Sequence, residues 1–373
     1  MKISVITIFD NNNYGSMLQT YATQTLFEQY GLDVEFIDYV RPFATHGAKI
    51  QNFVKSSKWN NVFLRPFLRI KIRKRLDKEN RVFRAFLQSR IHLTEKKYHS
   101  VNELCKTIPE ADIYCTGSDQ TWNSKWNRGV DESFFLSFAP EDKPRIAYSS
   151  SIGRTEMDID EMKHHIQLWR KYKYITVREE SAEKLIENCG IEAHTVLDPT
   201  LMLEGTEWRR LKDGCPVKGS YIFVYQLHQE HSEVDFSKFV HKLKEKTGLP
   251  VIRLSFGWKT GVQADREIVL PQVEEFLSLL DNASYVVSDS FHVTAFSVNL
   301  NKQFCVLMPV NFSTRIANIL QITGLRNRIV TEKNQNNVFD TEIDFTQINA
   351  IMISQRQRSQ HIVLEMLKSI NAI

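Results

Sequence analysis

A β-branched apolar run, a segment of helical period and a second apolar run follow one another at the start of the chain, and that order narrows the fold sharply. Residues 3–9, Ile3-Ser-Val-Ile-Thr-Ile-Phe9, read as a strand. Leu18, Tyr21, Ala22, Thr25 and Leu26 then recur at helical spacing over residues 16–30, and Gly31 stands where a C-terminal cap belongs. Residues 33–39 read as strand again. A strand–helix–strand unit of this length needs parallel strands joined by a crossover, so the chain commits early to an α/β sheet.

The alternation continues. Strands are expected at 112–116, 145–149, 174–177 and 193–197, with helices at 158–172 and 179–189. A second series follows, with strands at 221–225, 251–255, 285–287 and 303–307 and helices at 233–247, 272–280 and from His292 onward. At 373 residues the chain exceeds one simple core. The economical solution is two Rossmann-like domains with mostly parallel sheets facing across a cleft. The expected division is 1–205, with a basic helical insertion at about 45–100, then 206–345, then closing helices over 346–373. A hydrophobic share of 42% and a charged share of 25% suit a soluble globular protein. No apolar run approaches the roughly 20 residues that cross a bilayer, and the first strand is too short and too β-branched for a signal peptide. The five cysteines are scattered without a Cys-x-x-Cys pair, which points to a reducing, cytoplasmic compartment.

Basicity is local. From Lys55 to Lys97 fourteen Lys or Arg face three acids, although the whole chain carries a net charge of only +4. The bland reading is a solvated helical insertion whose Phe63, Phe67 and Ile70 pack inward. The sharper reading is a patch for an anionic membrane surface, at the inner face of the membrane, or for a pyrophosphate-linked acceptor. Nucleic acid ranks below both, because no nucleic-acid motif accompanies the charge.

Four loops carry the chemistry. Asn13-Tyr14-Gly15 lies between the first strand and helix and reads either as a ligand-binding loop or as a plain capped turn; the Gly-x-Gly-x-x-Gly fingerprint is absent. Gly117-Ser-Asp119-Gln120-Thr-Trp122-Asn123 follows another strand, with Asp119 as a base or sugar ligand and Trp122 as a face for a sugar ring. Arg178 is placed to hold a phosphate or carboxylate, or else to form a surface ion pair. Ser288-Asp289-Ser290-Phe291-His292 joins a buried strand to a helix N-terminus, where unpaired N–H groups and an imidazole suit an anion. Arg315 opens the next predicted helix and is the first-ranked further cation, ahead of Arg253 and Lys302. No metal-ligand spacing occurs, and no cofactor is called for.

Asn13-Tyr-Gly-Ser-Met-Leu-Gln-Thr-Tyr-Ala22, Gly117–Asn123, Val177-Arg-Glu179 continuing to Val196-Leu-Asp-Pro-Thr200, and Ser288–His292, taken in order, resemble the polysaccharide pyruvyl transferase family. The resemblance implies a GT-B-like pair of domains and transfer of pyruvate from phosphoenolpyruvate onto a sugar, forming a ketal, in capsule, exopolysaccharide or cell-wall glycan assembly. It implies a sugar or lipid-linked glycan as acceptor. By position His292 matches the family's motif histidine and Arg178 its motif arginine, with Asp119 as the first-domain loop acid. The chemistry of that donor then assigns His292 as acid or phosphate ligand, Arg178 and Arg315 as anion clamps, and Asp119 as base, and the loops put Ser288, Asp289, Ser290, Asn13, Tyr14, Gly15, Gln120 and Trp122 at the substrate. The chain departs from the family pattern at Ser290, where members tend to carry Arg, and at Val293, where many carry Gly. Two rival readings stand beside it: a GT-B nucleotide-sugar glycosyltransferase, and a non-catalytic glycan-binding protein of a glycan-assembly complex.

Overall fold

The computed structural model describes residues 1–56, 64–257, 261–310 and 313–373. Their contacts divide the chain into two compact units, Met1–Pro199 with Ile362–Ile373, and Thr200–His361.

The first unit is built on seven strands: β1 (Lys2–Ile6), β2 (Asp33–Tyr39), β3 (Leu93–Tyr98), β4 (Ile113–Thr116), β5 (Arg145–Ser150), β6 (Tyr174–Val177) and β7 (His194–Thr195). They form one parallel sheet in the order β3-β2-β1-β4-β5-β6-β7. Its helices are α1 (Tyr14–Gln29), α2 (His46–Ser56), α3 (Arg65–Arg90), α4 (Val101–Lys106), α5 (Ser124–Asn127), α6 (Ile159–Trp169) and α7 (Glu180–Glu187). The sheet centre is almost wholly apolar: Ile3, Val5 and Ile6 of β1 and Ile113 and Cys115 of β4 are fully buried, as strands covered on both faces must be. Helix α1 starts on Asn13, whose side chain accepts from the Gly15 N–H, and stops at Gly31, whose φ of +79° suits glycine.

The second unit repeats the plan with β8 (Ile222–Tyr225), β9 (Val251–Ser255), β10 (Arg266–Val269), β11 (Tyr285–Ser288) and β12 (Gln303–Val306), in the parallel order β10-β9-β8-β11-β12. Around them run α8 (Pro199–Met202), α9 (Gly205–Leu211), α10 (Phe236–Thr247), α11 (Val273–Asp281), α12 (Phe291–Asn299), α13 (Thr314–Ile322) and α14 (Phe345–Ser369), the last of which passes from Ile362 onward into the first unit. In both sheets the chain runs outward to one edge, returns to the middle and runs outward to the other. That reversal falls at β1/β4 in one unit and at β8/β11 in the other, the points beyond which open α/β sheets bind ligands.

Two strands were not expected. Both β3 (LTEKKY) and β10 (REIV) are sheet edges, where charged side chains face solvent and blur the apolar signal. Among its described residues the segment about 45–100 therefore holds two helices and an edge strand, not helix alone. Phe67 and Ile70 also do not pack inward: they are 72% and 55% exposed on the first turns of α3, whose buried side falls on Ile72, Glu79, Val82, Phe83, Phe86 and Leu87. Phe63 lies outside the described residues.

Candidate functional site

In the first unit the loops after β1 and β4 meet at the reversal point, and the loop after β6 joins them. The Ser16 hydroxyl donates to Asp119 Oδ2 at 2.9 Å, and Asp119 Oδ1 accepts from the Gln120 N–H at 2.8 Å and from Arg178 Nη2 at 3.3 Å. Arg178 Nη1 donates to Asp198 Oδ2 at 2.8 Å, and its Nε lies 3.7 Å from Glu179 Oε2. Glu179 Oε1 in turn accepts from Ser151 Oγ and from the N–H groups of Ile152 and Gly153 at 2.7, 3.1 and 3.0 Å. Burial works against a charge on Arg178, but Asp198, Asp119 and Glu179 outweigh it and raise its pKa above the ordinary value. The guanidinium is thus engaged by three carboxylates and is not presented as a clamp for an incoming anion.

Other expected ligands of this unit belong to its interior. The Trp122 indole stacks on Phe135 at 5.6 Å, meets Trp169 edge-on and donates Nε1–H to the Phe134 carbonyl, so no face remains for a sugar. Tyr14 is fully buried with its ring edge-on to Phe83. Gln120 Oε1 accepts from Asn123 Nδ2, and a Cβ on Gly153 would fall 2.4 Å from that oxygen. Asn13 and Gly15 form the cap of α1. These residues shape the loops.

The second unit gathers a different set. Ser288 Oγ donates to the Tyr225 carbonyl at 2.8 Å and accepts from the Ser290 N–H at 3.0 Å. The Ser290 side chain caps α12 at Val293. Asp289, with a fully buried side chain, accepts from the Leu227 and His228 N–H groups at 2.8 Å each and lies 3.0 Å from His231 Nε2. The Ser-Asp-Ser side chains therefore fix the turn and tie it to the loop after β8; they are not offered as ligands. His292 sits in the first turn of α12, with its ring edge-on to Phe291 at 5.0 Å, and the Arg315 guanidinium lies 5.5 Å over the same Phe291 ring. His228 completes the group: burial lowers its pKa, Asp289 opposes that, and His231 and Arg315 add to the lowering.

His228 and His231 escaped the sequence reading because their importance depends on β8 lying beside β11, a pairing between distant segments. The signal available was two histidines three residues apart just after a strand. The other cations considered are engaged elsewhere: Arg253 pairs with Glu267 at 2.8 Å and Lys302 donates to the Asp281 carbonyl at 2.6 Å. Among the described residues no group of His, Cys, Asp and Glu is placed to hold a metal ion. A cavity of about 400 Å³ beside the end of α10 is lined by none of the site residues; Lys242 and Lys246 there bond to Gln335 and Asp340.

The loops at these two reversal points span the stretch that a model of the polysaccharide pyruvyl transferase family matches, residues 13–309. The chain belongs to the polysaccharide pyruvyl transferase family. A comparison with curated proteins gives no match. Among solved structures, the Staphylococcus aureus MnaA–UDP co-structure is similar over 100% of this chain and 97% of that one, at 11% identity and a TM-score of 0.55. The Neisseria meningitidis UDP-GlcNAc 2-epimerase bound to UDP-GlcNAc is similar over 99% and 100%, at 12% identity and a TM-score of 0.50. At that identity the likeness concerns the fold, which is of the GT-B type. This pyruvyl transferase family member thus pairs a two-sheet α/β architecture with the family's own loop sequences.

Proposed function

We propose that this protein transfers pyruvate from phosphoenolpyruvate to a sugar of a polysaccharide or lipid-linked glycan precursor, forming a ketal. The observation that carries the reading is the cluster of His228, His231, His292 and Arg315 at the strand ends of the second unit, in a chain of this family. Phosphoenolpyruvate bears a phosphate and a carboxylate on one enol carbon. Its methylene takes a proton and becomes a methyl group, and a sugar hydroxyl forms a C–O bond to the adjacent carbon. The C–O bond to phosphate breaks with its electron pair on phosphate, and a second hydroxyl closes the ring. Such a donor needs cations and a proton source. Arg315 and the helix N-terminus serve the anion, and His292 is the acid or phosphate ligand. Asp119 is the carboxylate that accepts a hydroxyl proton. Arg178 is reassigned from clamp to the positioning group that holds Asp119.

The contact with an anionic membrane surface belongs to the same reading. Leu64, Phe67 and Ile70 are exposed at the start of α3 amid Arg69, Lys71, Arg73 and Lys74, the composition of a helix that lies in a lipid interface.

The test is phosphate release from phosphoenolpyruvate in the presence of lipid-linked and nucleotide-linked sugars. Release is expected with at least one acceptor, and His292→Ala should lower turnover by about 10²–10⁴ if it transfers a proton. Nucleotide release from a sugar donor without phosphate release, or a folded His292→Ala variant with normal turnover, would refute the assignment.

A further inference from the structure

A pocket of about 260 Å³ lies within the first unit at the C-terminal ends of β1, β2 and β3, roofed by α2 and α3 of the basic segment. None of the loops discussed above supplies its roof. Its volume is just under the ~300–1,000 Å³ typical of drug-sized ligands, so it suits a single sugar ring rather than a dinucleotide.

Its charges do not cancel. Asp10, the one acid among the described lining residues, is tied to Arg41, whose backbone N–H and Nε both donate to Asp10 Oδ2 at 2.9 Å. Arg84 is spent on both oxygens of Asp38. That leaves Lys49 and Lys97; burial lowers the Lys49 pKa, while the charges of Asp10 and Glu79 act to raise it. Lys49 Nζ donates once, to the Asp10 carbonyl at 2.7 Å, and an ammonium has three protons to give. Beside them runs a chain of polar groups: Asn12 Nδ2 donates to Asn80 Oδ1 at 3.3 Å, and Asn80 Nδ2 lies 3.1 Å from His46 Nδ1. Phe9 and Phe83 provide an apolar wall. Two ammonium groups, carboxamides and an aromatic wall are complementary to a sugar that carries a phosphate.

We propose that this pocket is the acceptor subsite and that it binds a phosphate-bearing monosaccharide, with Lys49 and Lys97 on the phosphate and Asn12 and Asn80 on the hydroxyls. That the bound sugar is an acceptor rests on the pyruvyl-transfer reading; that the pocket binds it does not.

The test measures binding of glucose 1-phosphate, galactose 1-phosphate and N-acetylglucosamine 1-phosphate to the full chain by calorimetry, each beside its neutral parent sugar. A UDP-linked and a short prenyl diphosphate-linked sugar, as further arms, separate a soluble from a lipid-borne source of the phosphate. At least one phosphorylated sugar should bind about tenfold or more tighter than its parent, the scale of one charge-assisted hydrogen bond. A Lys49→Met/Lys97→Met variant of unchanged melting temperature should lose that margin. Lys97→Glu alone, at an exposed position, should reduce it even if the double variant folds poorly. No preference for any phosphorylated sugar, or a preference that survives both variants, overturns the proposal. If the margin behaves as expected but no phosphate leaves phosphoenolpyruvate, the pocket stands and the pyruvyl-transfer reading fails.

Discussion

Arg178 carries its positive charge into a place that water does not reach, and three carboxylates meet it there. Removing the guanidinium would leave three buried acids facing one another. Arg178→Met should therefore cost about 3–5 kcal/mol in urea denaturation, the scale seen when one partner of a buried ion pair is deleted. Arg178→Lys, which keeps the charge but not the fork, should cost less. A loss below about 1 kcal/mol for Arg178→Met would mean the acids do not depend on it. The sequence placed Arg178, Asp119 and His292 at strand ends, which is a local inference. It offered an ion pair of Arg178 with a neighbouring Glu, but did not reveal that the pair would be buried and joined by Asp198, nor that Trp122 would turn inward onto Phe135 and Trp169. Those outcomes depend on which strands become neighbours. For the same reason the Ser-Asp-Ser turn was recognised as a cap, while its tie to His228 and His231 went unread.

Among the elements, strands buried on both faces announced themselves: the positions 33–39, 174–177 and 251–255 match β2, β6 and β9 to the residue. The edge strands β3 and β10 did not, because an edge needs polar residues where a centre needs Val and Ile. Helix α3 is the instructive error. Its charge was visible, but the first of its two readings gave Phe67 and Ile70 to the core, and the core took Ile72, Val82, Phe83 and Phe86 instead. Exposed aromatic and aliphatic groups ringed by cations predict adsorption to anionic vesicles. In co-sedimentation with phosphatidylserine-containing vesicles, Phe67→Ser/Ile70→Ser should weaken binding by at least about tenfold, given ~1.5–3 kcal/mol for burying such a side chain. Added salt should weaken wild-type binding as well. Equal binding by the variant, or no preference for the anionic lipid, would return α3 to the role of a solvated insertion.

For the molecule as a whole, acid stability has an identifiable source in the first unit. His165 is fully buried, with Nδ1 2.9 Å from the Glu161 carbonyl and Nε2 3.3 Å from that of Trp122, between the rings of Phe135 and Trp169. Burial lowers its pKa, more than the two carbonyls and Glu161 restore it, and Arg154 lowers it further. The folded chain therefore resists a proton that the unfolded chain accepts near pH 6.5. Stability should be full above that pH and fall as the pH drops toward the folded-state value, by at most about 1.4 kcal/mol per pH unit from this group. His165→Gln should flatten that part of the pH–stability curve, measured by denaturant titration at a series of pH values. An unchanged slope would assign the effect to other groups.

Helix α14 has a consequence for how the chain is made. Its end, with Val363, Met366 and Leu367 fully buried, belongs to the unit that opens the sequence. During synthesis these side chains of the first unit follow the second unit out of the ribosome, so they join its core last. A cut at Pro199 would likewise part the first unit from Val363, Met366 and Leu367, which its core holds.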